Sequence, residues 1–175
     1  MTDSSTTEKI VVMGVAGCGK STLAVEIAQA LGCRAVEGDD YHLPESQHKM
    51  REGIPLQDAD REPWLDKLGE VLAAEPGDLV LACSALKRRY RDRLRARVPG
   101  LKFVYVDITP EEAARRVGSR PGHLFPTSLV TSQFEALESP VGEDRVVRVD
   151  ATAPRGTQVA EVLRWLGRGP AAAGG

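Results

Sequence analysis

The sequence has few of the features that mark membrane, secreted or nucleic-acid-binding proteins. No apolar run approaches the roughly 20 residues that a membrane helix requires, and no signal-peptide pattern precedes Lys9. Its three cysteines, Cys18, Cys33 and Cys83, are odd in number and lack metal-ligand spacing. We therefore expect reduced thiols and a cytoplasmic protein. A net charge of −2 argues against a dedicated nucleic-acid binder.

The composition suits one globular domain. Of the 175 residues, 42% are hydrophobic and 27% are charged, which is ordinary for such proteins. The polar residues 1–8 and the small-residue tail 167–175 are predicted to be mobile, which leaves residues 9–166 as a single domain. Apolar runs alternate there with helical patterns, and this predicts a parallel sheet covered by helices on both faces. The predicted strands are Lys9–Met13, Arg34–Glu37, Leu79–Cys83, Lys102–Val106 and Arg145–Val149.

The most specific motif follows the first predicted strand. Residues 14–21 read G-V-A-G-C-G-K-S, the phosphate-binding pattern G-x-x-x-x-G-K-S, and a helical pattern follows as the motif requires. Its glycines let the backbone close around an anion, toward which loop N–H groups and the helix N-terminus point. Lys20 adds a charge near the β/γ-phosphates, and the Ser21 hydroxyl is placed to ligate Mg²⁺. The predicted nucleotide-binding residues are Gly14, Val15, Ala16, Gly17, Cys18, Gly19, Lys20 and Ser21.

Polar side chains follow the second and third predicted strands, where an open α/β sheet binds its ligands. Asp39 and Asp40 come after the second strand, and a carboxylate there can orient Mg²⁺ or accept a proton from an attacking hydroxyl. Lys87 and Arg91 follow the third strand at i, i+4 spacing and are predicted to share a helix face that grips an anionic substrate. The long, polar segment 38–63 is predicted to be a substrate-binding loop, because loops of this length in compact domains are usually functional.

Three arginines lie at the end of the helix that is predicted to follow the fourth strand, on a stretch broken by glycine and proline. Arginines in this setting fit a lid that closes over a transferring phosphoryl group, so residues 116–127 are predicted to form a lid. The plainer alternative is that cations are favoured at any helix C-terminus. The three are Arg115, Arg116 and Arg120.

Besides the phosphate-binding loop, the chain carries several further motifs: Gly38-Asp-Asp-Tyr-His42, Lys49-Met50, Gly53-Ile-Pro-Leu56, Asp58-Ala-Asp-Arg-Glu-Pro-Trp-Leu65, Cys83-Ser-Ala-Leu-Lys87 with Tyr90-Arg91, Gly122-His-Leu-Phe125 and Gln133-Phe-Glu135. Together they resemble the small gluconokinase family of the thermoresistant type, within the P-loop group of shikimate and nucleoside monophosphate kinases. The resemblance runs from about Lys9 to Pro154. Two positions of the segment 38–63 depart from it, because Leu43 and Ser46 stand where the family usually has proline and asparagine.

The resemblance implies an α/β/α P-loop kinase with sheet order 2-3-1-4-5 and a lid. Such an enzyme transfers the γ-phosphoryl group of ATP, with Mg²⁺, to the 6-hydroxyl of D-gluconate, and the resemblance also suggests a homodimer. The implied catalytic residues are Lys20, Asp39 and Arg120, with Asp39 and Ser21 at the metal and Arg116 over the adenine. The implied acceptor-binding residues are Asp39, His42, Arg61, Lys87, Arg91 and His123. Two alternatives stay open: a kinase for another small sugar acid or a shikimate-like metabolite, and a non-catalytic nucleotide-dependent switch.

Overall fold

A computed structural model describes residues 7–118 and 127–168 of the chain. In this part five strands form one parallel sheet in the order β2-β3-β1-β4-β5, which confirms the predicted topology. The central strand is β1, in which Val11 pairs with Leu81 on one side and Phe103 on the other. The strands are β1 Lys9–Met13, β2 Arg34–Glu37, β3 Leu79–Ala82, β4 Lys102–Asp107 and β5 Val146–Asp150.

Helices cover both faces of the sheet, so its strands are buried on both sides and read as continuous apolar runs. Side chains of β1 alternate between two cores: Ile10 and Val12 face one, and Val11 and Met13 face the other. The helices are α1 Lys20–Leu31, α2 Pro44–Arg51, α3 Asp58–Ala74, α4 Arg88–Arg97, α5 Pro110–Gly118, α6 Thr127–Ala136 and α7 Arg155–Trp165. The first core takes residues from α1, α5, α6 and α7, and the second from α3 and α4.

The segment 38–63, predicted to be a loop, contains regular structure. A 3₁₀ turn occupies Gly38–Tyr41, helix α2 follows, and the segment ends inside the first turns of α3. The sequence of α2 is almost entirely polar and lacks the apolar period by which helices are detected. Only Pro44 at its first position indicates a helix start. The loop prediction is therefore corrected to a short helix between two turns.

Strand β1 begins at Lys9 as predicted, but the residue before it is also held in place. Glu8 belongs to the segment 1–8 that is predicted to be mobile, yet it is buried. Its N–H donates to the Asp78 carboxylate at 2.7 Å, and its own carboxylate accepts from Lys102 at 2.7 Å. Residues 1–6, residues 169–175 and the centre of the predicted lid lie outside the described residues. No helix in the described ranges is long and apolar enough to span a membrane.

Candidate active site

A cavity of about 600 Å³ lies among the segments that follow β1, β2 and β3. This is the edge of an open α/β sheet where ligands bind. Its wall combines the phosphate-binding loop, carboxylates that follow β2, and side chains from α2, α3, α5 and α6 with their flanking turns. The residues that line it are Ala16, Gly17, Gly19, Lys20, Ser21, Thr22, Glu37, Asp39, His42, Met50, Ile54, Pro55, Leu56, Arg61, Ser84, Arg116, Ser132 and Gln133.

The phosphate-binding loop has the geometry that its glycines predict. Gly17 and Gly19 adopt φ values of 86° and 91°, in the left-handed region that favours glycine. A Cβ at Gly14 would lie 2.6 Å from the Cys18 sulfur and 2.9 Å from the Val106 carbonyl oxygen, so a side chain there would displace the loop. The N-terminus of α1 has no side-chain cap. Its first N–H groups are therefore available to an anion at the loop.

Cys18 is a buried spacer of this loop. Its side chain packs in the core beneath the loop, and its N–H donates to the Val15 carbonyl at 3.2 Å. Burial raises the pKa of the Cys18 thiol, although the nearby Lys20 charge opposes that effect. The thiol is therefore protonated at neutral pH, and this residue can serve a nucleotide only through its backbone.

A carboxylate that the sequence analysis missed lies against the loop serine. The Ser21 hydroxyl donates to Glu37, whose other carboxylate oxygen accepts the Asp39 N–H at 3.4 Å. Glu37 is the last residue of β2, so the same strand-end rule that selected Asp39 could have found it. Hydroxyl and carboxylate oxygens are the ligands that Mg²⁺ prefers, so Ser21 and Glu37 fit this ion. Among residues 7–118 and 127–168, no cluster of three His, Cys, Asp or Glu side chains could hold a metal ion.

Asp39 and His42 form the part of the wall nearest the 3₁₀ turn. The Asp39 carboxylate lies 3.7 Å from His42 Nε2, and its side chain is half exposed. The His42 ring is buried and stacks on Trp64 with ring centroids 4.0 Å apart. The Trp64 indole donates to the Gly38 carbonyl at 2.7 Å, so the turn and the ring are held by the same side chain. Burial lowers the pKa of His42, against the opposing effect of the Asp39 charge, and the imidazole is neutral at neutral pH.

Arg61 brings a positive charge to the cavity wall, close enough to His42 to help lower the pKa of that imidazole. It extends from α3, donates to the Leu56 carbonyl at 2.7 Å, and lies with its guanidinium 5.4 Å from the centre of the Tyr90 ring. Met50 and Ile54 contribute apolar side chains to the same cavity lining. The arrangement offers one fixed cation beside polar and apolar surface, which suits a small polar molecule that carries an anionic group.

The structure does not bring Lys87 and Arg91 together at the cavity. Helix α4 begins at Arg88, and Lys87 precedes it with extended backbone, so i, i+4 spacing does not place the two on one face. Lys87 pairs with Asp58 at 3.3 Å. Arg91 is fully buried and forms two hydrogen bonds with Glu143, at 3.1 and 2.7 Å. It also donates to the carbonyls of Ala85, Leu86 and Glu138. The predicted common grip on an anionic substrate is therefore corrected, because Arg91 is committed to internal partners.

Of the predicted lid, the structure describes only its two ends. Arg116 donates to the Gly17 carbonyl at 3.1 Å and to the Ala151 carbonyl at 3.1 Å, and pairs with Glu112 at 2.9 Å. It therefore joins α5 to the phosphate-binding loop, and its expected position over an adenine stays a prediction. Arg120 and His123 lie outside the described residues.

Comparisons with known proteins agree with this geometry. The family described as an AAA domain matches residues 10–124. The gluconokinase of Gluconobacter oxydans is 43% identical over 159 residues, which cover 89% of this chain and 89% of that protein. A crystal structure of a gluconokinase from Sinorhizobium meliloti superposes with a TM-score of 0.85 at 49% identity and covers 92% of each chain. The shikimate kinase of Aquifex aeolicus has a TM-score of 0.63 at 18% identity over 95% of this chain and 99% of its own, and shares the fold.

Proposed function

Because the chain belongs to the gluconokinase family, we propose that it transfers the γ-phosphoryl group of ATP to the 6-hydroxyl of D-gluconate, giving 6-phospho-D-gluconate. The observation that carries this proposal is the composition of one cavity. A phosphate-binding loop forms one wall, and a carboxylate, a neutral imidazole and a fixed guanidinium form the other. A kinase needs both walls, because phosphoryl transfer is mainly the positioning of donor and acceptor and the stabilisation of charge.

On the donor side, the loop N–H groups and the α1 N-terminus would hold the phosphates. Lys20 would stabilise the charge of the transferring group, with Arg120 of the predicted lid assisting it. Arg116 would contribute to the nucleotide site beside the loop, where it donates to the Gly17 carbonyl. Ser21 and Glu37 would hold Mg²⁺, which supplies neutralisation of phosphate charge when bound.

On the acceptor side, Asp39 would accept the proton of the attacking hydroxyl. The Asp39 carboxylate is half exposed. Its neighbour His42 is neutral, so no ion pair with His42 has to be broken before Asp39 accepts a proton. His42 would hydrogen-bond an acceptor hydroxyl. Arg61 would bind the carboxylate of gluconate, since its guanidinium lines the cavity and matches a carboxylate geometrically. Lys87 would assist Arg61, because its partner Asp58 is partly exposed and the ion pair can be exchanged for a substrate carboxylate. His123 stays a proposed contact from the lid.

We further propose that the enzyme acts in the cytoplasm as a homodimer. Its use of ATP and the three free cysteines of the chain, Cys18, Cys33 and Cys83, favour that location. The dimer rests on the family resemblance, and light scattering of the purified protein would measure it.

The decisive experiment is an acceptor screen that measures ADP release with D-gluconate, other sugar acids, shikimate and an uncharged hexitol. We expect the highest kcat/KM with D-gluconate and a phosphate ester at carbon 6 in the product, read by phosphorus–proton coupling. A higher kcat/KM with another acid would assign the enzyme to that acid. ATP binding without acceptor-dependent ADP release for any of these compounds would favour the nucleotide-dependent switch.

A further inference from the structure

A side chain of α6, the helix that follows the predicted lid in the sequence, reaches the phosphate-binding loop. Gln133 of α6 accepts the Ala16 N–H through Oε1 at 2.6 Å, and both residues line the cavity. A backbone N–H can only donate, so the amide must present its oxygen to the loop. This fixes the orientation of the amide group, and its NH₂ donor is directed away from Ala16.

The position of Gln133 is held by the residues that follow it in the chain. The next residue, Phe134, packs against the core between the sheet and α1. At the end of α6, the Glu138 N–H donates to the Leu86 carbonyl at 2.8 Å, and the Glu138 carboxylate accepts the Arg88 N–H at 2.8 Å. The helix is thereby tied to the turn between β3 and α4. A side chain on such a support can hold a ligand without large ordering entropy at the moment of binding.

The location of Ala16 indicates which phosphate the amide can reach. The α- and β-phosphates of a nucleotide lie at the end of the loop that enters the helix. Ala16 lies four residues before the first residue of α1, at the other end of the loop. A phosphoryl group beside it would be the outermost one, which is also the one that must face the acceptor wall.

We propose that Gln133 binds and positions the γ-phosphoryl group, with Oε1 holding the Ala16 amide and Nε2 donating to a γ-phosphate oxygen. The inference rests on the proposed use of ATP and adds a residue that distinguishes ATP from ADP. The amide of Gln133 therefore has two functions: Oε1 holds the loop in shape, and Nε2 recognises the γ-phosphate. From the sequence alone, Gln133 is recognisable only as part of a family motif.

The test is the ratio of two dissociation constants, for a non-hydrolysable ATP analogue and for ADP, measured by calorimetry without gluconate. Gln133→Glu keeps the acceptor for Ala16 and replaces the donor with a negative oxygen. Gln133→Met removes both polar groups at nearly the same length. Gln29→Glu makes the same charge change at an exposed position of α1 and serves as the control.

We expect both Gln133 variants to weaken the ATP analogue about ten- to a hundredfold relative to ADP, since a hydrogen bond to a charged phosphate is lost. Gln29→Glu should keep the wild-type ratio. If either Gln133 variant keeps the wild-type ratio, the proposal is wrong: equal losses for both nucleotides would mean that Gln133 only shapes the loop. Should Gln133→Glu not fold, Gln133→Met decides alone. The ratio of dissociation constants is measured without a phosphate acceptor. It can therefore contradict the role of Gln133 while the acceptor screen confirms the proposed activity, and it can support that role while the screen contradicts the activity.

Discussion

Replacing Arg91 by methionine separates a structural role from a substrate-binding role. The guanidinium is fully buried, pairs twice with Glu143, and donates to three backbone carbonyls. Methionine fills similar volume but satisfies none of these acceptors. Because the side chain does not line the cavity, we expect Arg91→Met to destabilise the fold and to leave the KM for gluconate near the wild-type value.

The size of the destabilisation depends on the buried groups that Arg91→Met leaves without a partner. Removing one partner of a buried ion pair costs about 3–5 kcal/mol, because the other charge keeps its desolvation penalty. Glu143 is nearly buried and retains its ion pair with Arg95, at 2.8 Å, so part of the penalty is offset. In a domain of this size, each kcal/mol lowers Tm by about 2–4 °C. The expected fall in Tm is therefore roughly 6–20 °C.

Thermal unfolding and steady-state kinetics below the new Tm check the two halves of this prediction. Arg93→Met is the matched control: its partner Asp66 is at the surface, so the expected loss is about 0–1 kcal/mol. A double variant, Arg91→Met with Glu143→Met, should be more stable than Arg91→Met alone, because no buried charge is left unpaired. A gluconate KM raised tenfold or more at unchanged Tm would refute the structural role and restore Arg91 to the substrate site.

Three further predictions concern the cavity wall. Glu37→Gln should raise the Mg²⁺ concentration needed for half-maximal activity, because a hard anionic ligand beside Ser21 is lost; an unchanged Mg²⁺ dependence would remove Glu37 from the metal site. Arg61→Met should raise the gluconate KM about ten- to a hundredfold and leave the ATP KM unchanged; Arg93→Met is again the control, and an unaltered gluconate KM would move the carboxylate contact to Lys87. His42 has a lowered pKa in the folded protein, so the unfolded chain binds more protons once the pH falls below about 6.5. Its contribution to stability is therefore fully present above that value and lost as the pH falls through the folded pKa. Urea unfolding of the wild type from about pH 7.5 to about pH 5.5 should show this loss, and His42→Gln should reduce it; equal slopes for the two proteins would contradict the assignment.

Local chemistry made much of the donor side predictable from sequence. The glycines of the phosphate-binding loop serve backbone conformations that only they adopt easily, and Lys20 and Ser21 stand at fixed positions after them. The strands were also recognisable, because a sheet covered on both faces requires uninterrupted apolar residues. Helix α2 and helix α6 were not, since neither carries the regular apolar stripe from which a helix is inferred.

The roles of the other site residues depend on contacts between segments that are distant in the sequence, and a sequence pattern does not reveal such contacts. The spacing of Arg91 from Lys87 predicts a contact with a substrate, yet its carboxylate partner lies within the protein, 52 residues away. Gln133 is 117 residues from the loop amide that it holds. Each of these polar groups is satisfied only through the fold, so its role becomes visible when the partners are known.

The turn after β3 explains why a residue that does not line the cavity still belongs to a motif of the site. Ala85 adopts φ of 45°, a left-handed conformation that is unfavourable for residues other than glycine. Its carbonyl accepts from Arg91 at 2.8 Å, and the preceding residue, Ser84, lines the cavity. Arg91 therefore stabilises the strained turn that carries Ser84 to the site, while Glu143 keeps the guanidinium in place. The pattern Cys-Ser-Ala-Leu-Lys, followed by Arg91, is therefore required for the shape of the turn, and the charge of Arg91 pairs with Glu143 rather than with a substrate.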